Sequence, residues 1–202
     1  MKTLVLYASP LTKSKPGSIS QKATKKFLEL YKVNNFNKEI IELDLNEKKC
    51  LTKSLDSFSF KDGSFFSDGL TDEILSQLKN VDHLIISTSM INFNVPAVLK
   101  NLIDRIAVAN KTFKYKYDGN GKSEGLIKHI TVQIIATQGA PKGWYPFGDH
   151  VTYLEGVFNF LGMKVQESIL IAGTKTKEWS ASSIEKNISK YNELFKKQSN
   201  FK

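Results

Sequence analysis

A chain of 202 residues, 41% hydrophobic and 24% charged, has the composition of an ordinary globular domain and the length to bury roughly 70% of the surface its unfolded form exposes. One cysteine, Cys50, cannot close an intrachain disulfide, and three scattered histidines, His83, His129 and His150, offer no spacing that would cage a metal. The net charge of +9 rests on lysines spread along the whole chain, with Arg105 the single arginine, which describes a solvated basic surface rather than the arginine-forked groove of a nucleic-acid binder.

The apolar run at 2–8 (KTLVLYA) predicts a buried strand, and SPLTKSKPG its exit loop. From Ser18 the spacing of Ile19, Ala23, Phe27, Leu28, Leu30 and Tyr31 is helical, with Ser18 or Ser20 placed to cap. KEIIELDL at 38–45 reads as a second strand, and 44–67 loses periodicity and is expected to be a surface excursion. A helix is predicted at 70–80, a strand at 82–88, and a helix at 96–110 with Pro96 in its first turn. Residues 112–126 alternate and then turn on DGNG, as a hairpin or flap would. A strand at 129–137, a loop through Gly148, a helix at 150–161, a strand at 164–173 and a final helix at 180–197 complete the chain.

Short, fully apolar strands alternating with helices predict an α/β fold, a single domain over 1–202 with a parallel sheet covered on both faces. The expected form is a flavodoxin-like three-layer sandwich with five strands in the order 2-1-3-4-5. No apolar run approaches the ~20 residues of a membrane span, and the N-terminal apolar stretch is too short for a signal peptide, so a cytoplasmic location is expected. In such a sheet a ligand binds beyond the carboxyl ends of strands 1, 3 and 4, which selects three loops: 9–20, 89–95 and 137–148.

The first loop has neither a P-loop nor a dinucleotide fingerprint. Its hydroxyls, Ser9, Ser18 and Ser20, stand where a helix N-terminus favours a monophosphate, although capping and loop solvation would use the same residues. In the second loop Met90, Ile91, Asn92 and Phe93 precede Pro96. Apolar side chains there want a cover such as a flat isoalloxazine ring, unless Phe93 tucks into the core. In the third, Gly139 permits close backbone approach. Trp144, Tyr145 and Phe147 fit a lid, a partner surface or a tucked loop equally.

Ser9, the Ser18-Ile19-Ser20 turn, the string MINFNVPAVLKNLIDRIAVANKTFKY with Gly125-Leu126 after it, and the strand that ends in TQGA together resemble the FMN-dependent NADH-azoreductases. These are homodimeric flavodoxin-like quinone and azo reductases, and the resemblance runs over essentially the whole chain. It implies FMN, one per subunit, with its phosphate at Ser9 and at Ser18, Ile19 and Ser20. The flavin edge would lie against Met90, Ile91, Asn92 and Phe93, and its far rim at Thr137, Gln138, Gly139 and Ala140. Phe113 and Tyr115 in the flap would border the substrate side, reaching across the dimer. The chain departs from the family's usual M-Y-N-F at Ile91 and from its S-R-G-G at Thr137, Gln138 and Ala140.

The implied reaction is a ping-pong hydride transfer from NADH to FMN N5 and then to a quinone or azo compound. The flavin would carry the chemistry, with no catalytic acid or base and no metal from the protein. The alternative is a flavodoxin-type electron carrier without its own NADH turnover. A phosphodiester hydrolase is disfavoured, because neither a carboxylate–histidine cluster nor a G-x-S-x-G elbow is present.

Overall fold

A computed structural model describes residues 2–11, 17–47, 51, 53–67, 69–115 and 123–200. Its strands are β1 (Lys2–Tyr7), β2 (Glu39–Asp44), β3 (His83–Ser89), β4 (Phe113–Tyr115), β5 (Ser123–Gly125), β6 (Thr131–Thr137), β7 (Lys164–Val165) and β8 (Ile169–Ile171). The helices are α1 (Ile19–Asn34), α2 (Ser57–Lys61), α3 (Ser64–Ser67), α4 (Leu70–Lys79), α5 (Ala97–Ile106), α6 (His150–Phe160), α7 (Lys177–Ser180), α8 (Ile184–Ser189) and α9 (Asn192–Gln198).

The main sheet runs β2-β1-β3-β6-β7, with β8 also on β6, and every pairing in it is parallel. Strand alternation divides its side chains between two cores. Leu4, Leu6, Leu84, Ile86, Val132 and Ile134 meet α4, α5 and α6 on one face. Val5, Tyr7, Ile85, Ile135, Ile169 and Ile171 meet α1, α8 and α9 on the other.

Three expectations are corrected. The sheet has six strands where five were predicted, because the run at 164–173 is split into β7 and β8. The buried Gln133 side chain supplies the reason: its amide donates to the Glu167 carbonyl at 3.2 Å, taking the chain between the two strands out of the ladder. The terminal helix over 180–197 is broken into α8 and α9 behind the one-turn α7 that ends at Ser180, since Ser183 caps a new start and Asn187 donates to the Trp179 carbonyl at 2.7 Å. Finally, 44–67 is not only a surface excursion: Leu45 and Leu51 are buried in the first core, Phe65 is buried beneath the fully buried Arg105, and α2 and α3 lie within it. The DGNG turn lies outside the described residues, but β4 and β5 pair antiparallel as the hairpin predicts.

Candidate functional site

The direction of α1 fixes the site. Near its C-terminal end, the Tyr31 hydroxyl bonds Thr3 Oγ1 at 2.7 Å and His83 Nδ1 at 2.6 Å, at the amino ends of β1 and β3. The helix therefore runs antiparallel to the strands, and its N-terminus lies at their carboxyl ends. Parity does the rest: Tyr7, Ser9, Ile85, Ser89, Ile135 and Thr137 fall on the face that α1 covers.

Ser9 leaves β1 buried. Its hydroxyl accepts from Ser89 Oγ and from the Leu11 amide, each at 3.3 Å, while Asn46 Nδ2 holds its carbonyl at 2.9 Å. Ser18 is the N-cap of α1, accepting from the Gln21 amide, and its hydroxyl bonds that of Ser20 at 2.8 Å. Both serines are buried and Ile19 is half-buried between them. Hydroxyls and the first-turn amides of a 16-residue helix form a donor set suited to an oxyanion.

In the second loop the Met90 amide donates to the Thr137 carbonyl at 2.8 Å, stitching the loops after β3 and β6 together. Ile91 and Asn94 then exchange backbone hydrogen bonds across a tight turn, and its two central residues, Asn92 (φ 44°) and Phe93 (φ 73°), are both left-handed. Asparagine tolerates that conformation and phenylalanine rarely adopts it. Phe93 is held by Tyr145 and Phe147, with ring centroids 5.0 and 5.1 Å away. That contact decides how Tyr145 and Phe147 are used: they clamp the strained turn. Phe93 itself is 46% exposed, so it does not tuck into the core.

Thr137 and Gln138 are buried, and the Gln138 amide donates to the carbonyls of Ala140 and Pro141 at 3.0 and 2.9 Å. Its side chain shapes the third loop from within. The turn after β8 ties in next: the amides of Gly173, Thr174 and Lys175 donate to the carbonyls of Ala140, Gln138 and Gly139.

These loops enclose a cleft of about 620 Å³, a size ordinary for a cofactor site, lined by Met90, Asn92, Phe93, Gly139 and Ala140 together with Pro141, Trp144, Tyr145, Lys175, Thr176 and Lys177. The amides of Asn92, Phe93, Gly139 and Ala140 have no hydrogen-bond partner among the described residues, so four donors stand at its wall. Lys175, Thr176 and Lys177 were missed from sequence. The only signal was that the strand before them is the outer neighbour of β6. Ser9, Ser18, Ile19, Ser20, Thr137 and Gln138 lie outside the lining, as does the half-buried Ile91. Phe113 and Tyr115 also do not line this cleft. Phe113 is buried against Phe160 (4.9 Å) in the first core, and Tyr115 stands edge-on to it at 5.2 Å and is 55% exposed.

Burial holds His150 below the usual imidazole range against the opposing pull of Asp149 and the Thr137 carbonyl. Burial, reinforced by a 2.6 Å bond to Glu42, pushes the Tyr7 phenol up. No group of three or more His, Cys, Asp or Glu that could hold a metal occurs among the described residues, and no helix among them is long and apolar enough to cross a membrane.

A parallel sheet with helices on both faces, and a donor-lined cleft across the carboxyl ends of its central strands, defines a protein of the flavodoxin-like class. The family described as Flavodoxin-like fold matches residues 1–195, and the chain belongs to it. Over 180 residues it is 48% identical to a Mycoplasma mobile protein named FMN-dependent NADH:quinone oxidoreductase, covering 89% of this chain and 88% of that one. A protein of the same name from Metamycoplasma arthritidis is 50% identical over 174 residues, 86% of this chain and 87% of its own. Among solved structures, an azoreductase from Bacillus anthracis superposes with a TM-score of 0.81 at 25% identity over 99% of both chains. An FMN-dependent NADH-azoreductase of that species in complex with FMN gives 0.71 at 27% identity over 99% of this chain and 100% of that one.

Proposed function

We propose that this chain is an FMN-dependent NADH:quinone oxidoreductase that also reduces azo compounds, working as a single domain over 1–202 in a cytoplasmic homodimer. The observation that carries this reading is the placement of two donor sets at the carboxyl ends of one parallel sheet, the serines and first-turn amides that open α1 and the four unpaired amides beside the cleft, in a chain about half identical to oxidoreductases so named. The donor set fits FMN. Ser9, Ser18, Ser20 and the first-turn amides of α1, with Ile19 among them, would hold the phosphate. The amides of Asn92, Phe93, Gly139 and Ala140 would meet the polar edge of the ring, with Met90 and Phe93 supplying apolar contact and Ile91, Thr137 and Gln138 fixing the loops from behind.

When bound, FMN supplies a two-electron acceptor and donor for hydride exchange with a nicotinamide and then with a flat oxidised substrate. The protein's part is to bind, orient and exclude water. A single cleft bounded by Met90, Phe93 and Tyr145 gives donor and acceptor the same place, so they use it in turn. Among the described residues its lining holds no histidine, carboxylate or thiol. Tyr115, exposed on its hairpin over Phe113, is assigned to the substrate side of a second copy's cleft.

The visible spectrum of the purified protein with FMN, before and after anaerobic NADH, tests the reading. Flavin bands that bleach with NADH and return with a quinone are expected. Bound flavin that NADH cannot bleach would make the protein a carrier, and no flavin binding would overturn the assignment of all three loops. Sedimentation of the flavin-loaded protein as a monomer at micromolar concentration would overturn the dimer.

A further inference from the structure

Part of the cleft is lined by residues outside the three loops, Lys175, Thr176 and Lys177. Among the described residues, Lys175 and Lys177 are the only charged side chains lining it. Both are exposed, and neither has an ion-pair partner among the described residues, whereas Lys100, Lys111, Lys114, Lys128 and Lys197 each sit on a carboxylate. Lys175 is also aimed. Its amide donates to the Gly139 carbonyl at 3.0 Å, and its aliphatic stem lies along Gly139 so closely that a Cβ at 139 would fall 2.9 Å from Lys175 Cδ. The absence of a side chain at Gly139 is what lets the lysine cross the rim. On the same cleft Trp144 is 66% exposed, a broad aromatic face with water on it.

Two unpaired ammonium groups beside a free indole match a ligand that carries a diphosphate and a heteroaromatic base. Resting on the oxidoreductase reading above, we infer that Lys175 and Lys177 bind the diphosphate of the nicotinamide dinucleotide donor and that its adenine stacks on Trp144. Discrimination between a dinucleotide donor and a smaller one is then made at this rim, away from the reacting ring. The chemistry recognised is the diphosphate common to NADH and NADPH, not the extra 2′-phosphate of NADPH.

The test uses full-length FMN-loaded protein and the K175Q/K177Q variant with three donors: NADH, NADPH and N-methyl-1,4-dihydronicotinamide, which has the reacting ring but no diphosphate. The ratio of kcat/KM for NADH to that for the small donor is expected to fall about tenfold in the variant, two solvent-exposed charge pairs having been lost. NADPH should suffer the same fall. Calorimetric binding of ADP-ribose, which needs no turnover, should weaken by a similar factor in K175Q/K177Q and also in W144A. An unchanged ratio, equal losses with all donors, a loss confined to NADPH, or ADP-ribose affinity indifferent to these residues would each overturn the inference alone. Failure of the protein to bind FMN would overturn the reading beneath it as well.

Discussion

Gly148 and Phe93 touch at the end of the third loop, where residue 148 has no side chain. A Cβ on residue 148 would lie 3.0 Å from Phe93 Cβ and 3.1 Å from the Phe93 carbonyl oxygen. The backbone of 148 thus serves as the floor on which the left-handed turn at Asn92 and Phe93 rests. Gly148→Ala leaves the conformational choice of residue 148 open but forces Phe93 to yield by a few tenths of an ångström. The expected result is a loss of about 1 kcal/mol of stability with weaker FMN binding, read by denaturant unfolding and by flavin fluorescence titration. FMN affinity equal to wild type would mean that the turn does not support the cofactor.

The strain in that turn can be measured separately from its aromatic contacts. At φ 73° a residue with a Cβ costs more than glycine. Phe93→Ala and Phe93→Gly both remove the ring and its contacts with Tyr145 and Phe147, so their difference isolates the backbone. Phe93→Gly should be the more stable of the two by about 1 kcal/mol, the reverse of the order at an extended or helical position. Equal midpoints in urea would contradict it.

Ser18 has two duties that two ligands can separate. As N-cap it accepts from the Gln21 amide, and as phosphate donor it would act together with Ser20. Ser18→Ala should cost about 1 kcal/mol of stability through the lost cap. It should weaken FMN binding about tenfold, as loss of a hydrogen bond to a charged group does, and leave riboflavin, which lacks the phosphate, nearly unaffected. Equal losses for both ligands would place the phosphate elsewhere.

His83 makes the fold acid-sensitive. Buried beneath Tyr31 and close to Lys38, its imidazole is held down at about 4 against an ordinary 6.5. The unfolded chain therefore binds this proton more readily than the folded one. Stability is complete above about pH 6.5 and is lost progressively as pH falls toward 4. His150, depressed by its own burial, acts in the same direction. Thermal midpoints should drop between pH 7 and pH 4.5. In His83→Asn, which keeps an acceptor for the Tyr31 hydroxyl, the midpoint should be lower at pH 7 and the slope with pH shallower. A slope unchanged by the substitution would remove His83 as the cause.

The strands and the three candidate loops were legible because β1, β3 and β6 are short apolar runs buried almost throughout, and because parallel order dictates which ends converge. Ser9, Ser18 and Ser20 followed from the helix start. What escaped notice depends on contacts far apart in sequence. The break between β7 and β8 comes from Gln133, more than 30 residues earlier. Leu51 and Phe65 are buried by partners that local pattern does not reveal, the latter under the only arginine of the chain. Lys175 entered the cleft by lying on Gly139, a contact that no spacing within 172–180 announces. Gln138, read as a flavin-rim residue, spends its side chain on the carbonyls of its own loop, a geometry set by the turn and invisible in the letters.

The two margins of the sheet end differently. On one side the ladder finishes in strands of two and three residues separated by a detour, too short to template another chain. On the other, β2 is six residues long but carries Glu39, Glu42 and Asp44, so a second copy laid alongside would set carboxylate against carboxylate. Growth of the sheet from molecule to molecule is thus discouraged at both borders. The dimer proposed above would then rest on side-chain surfaces such as the hairpin that carries Tyr115, where contact can be specific without being open-ended.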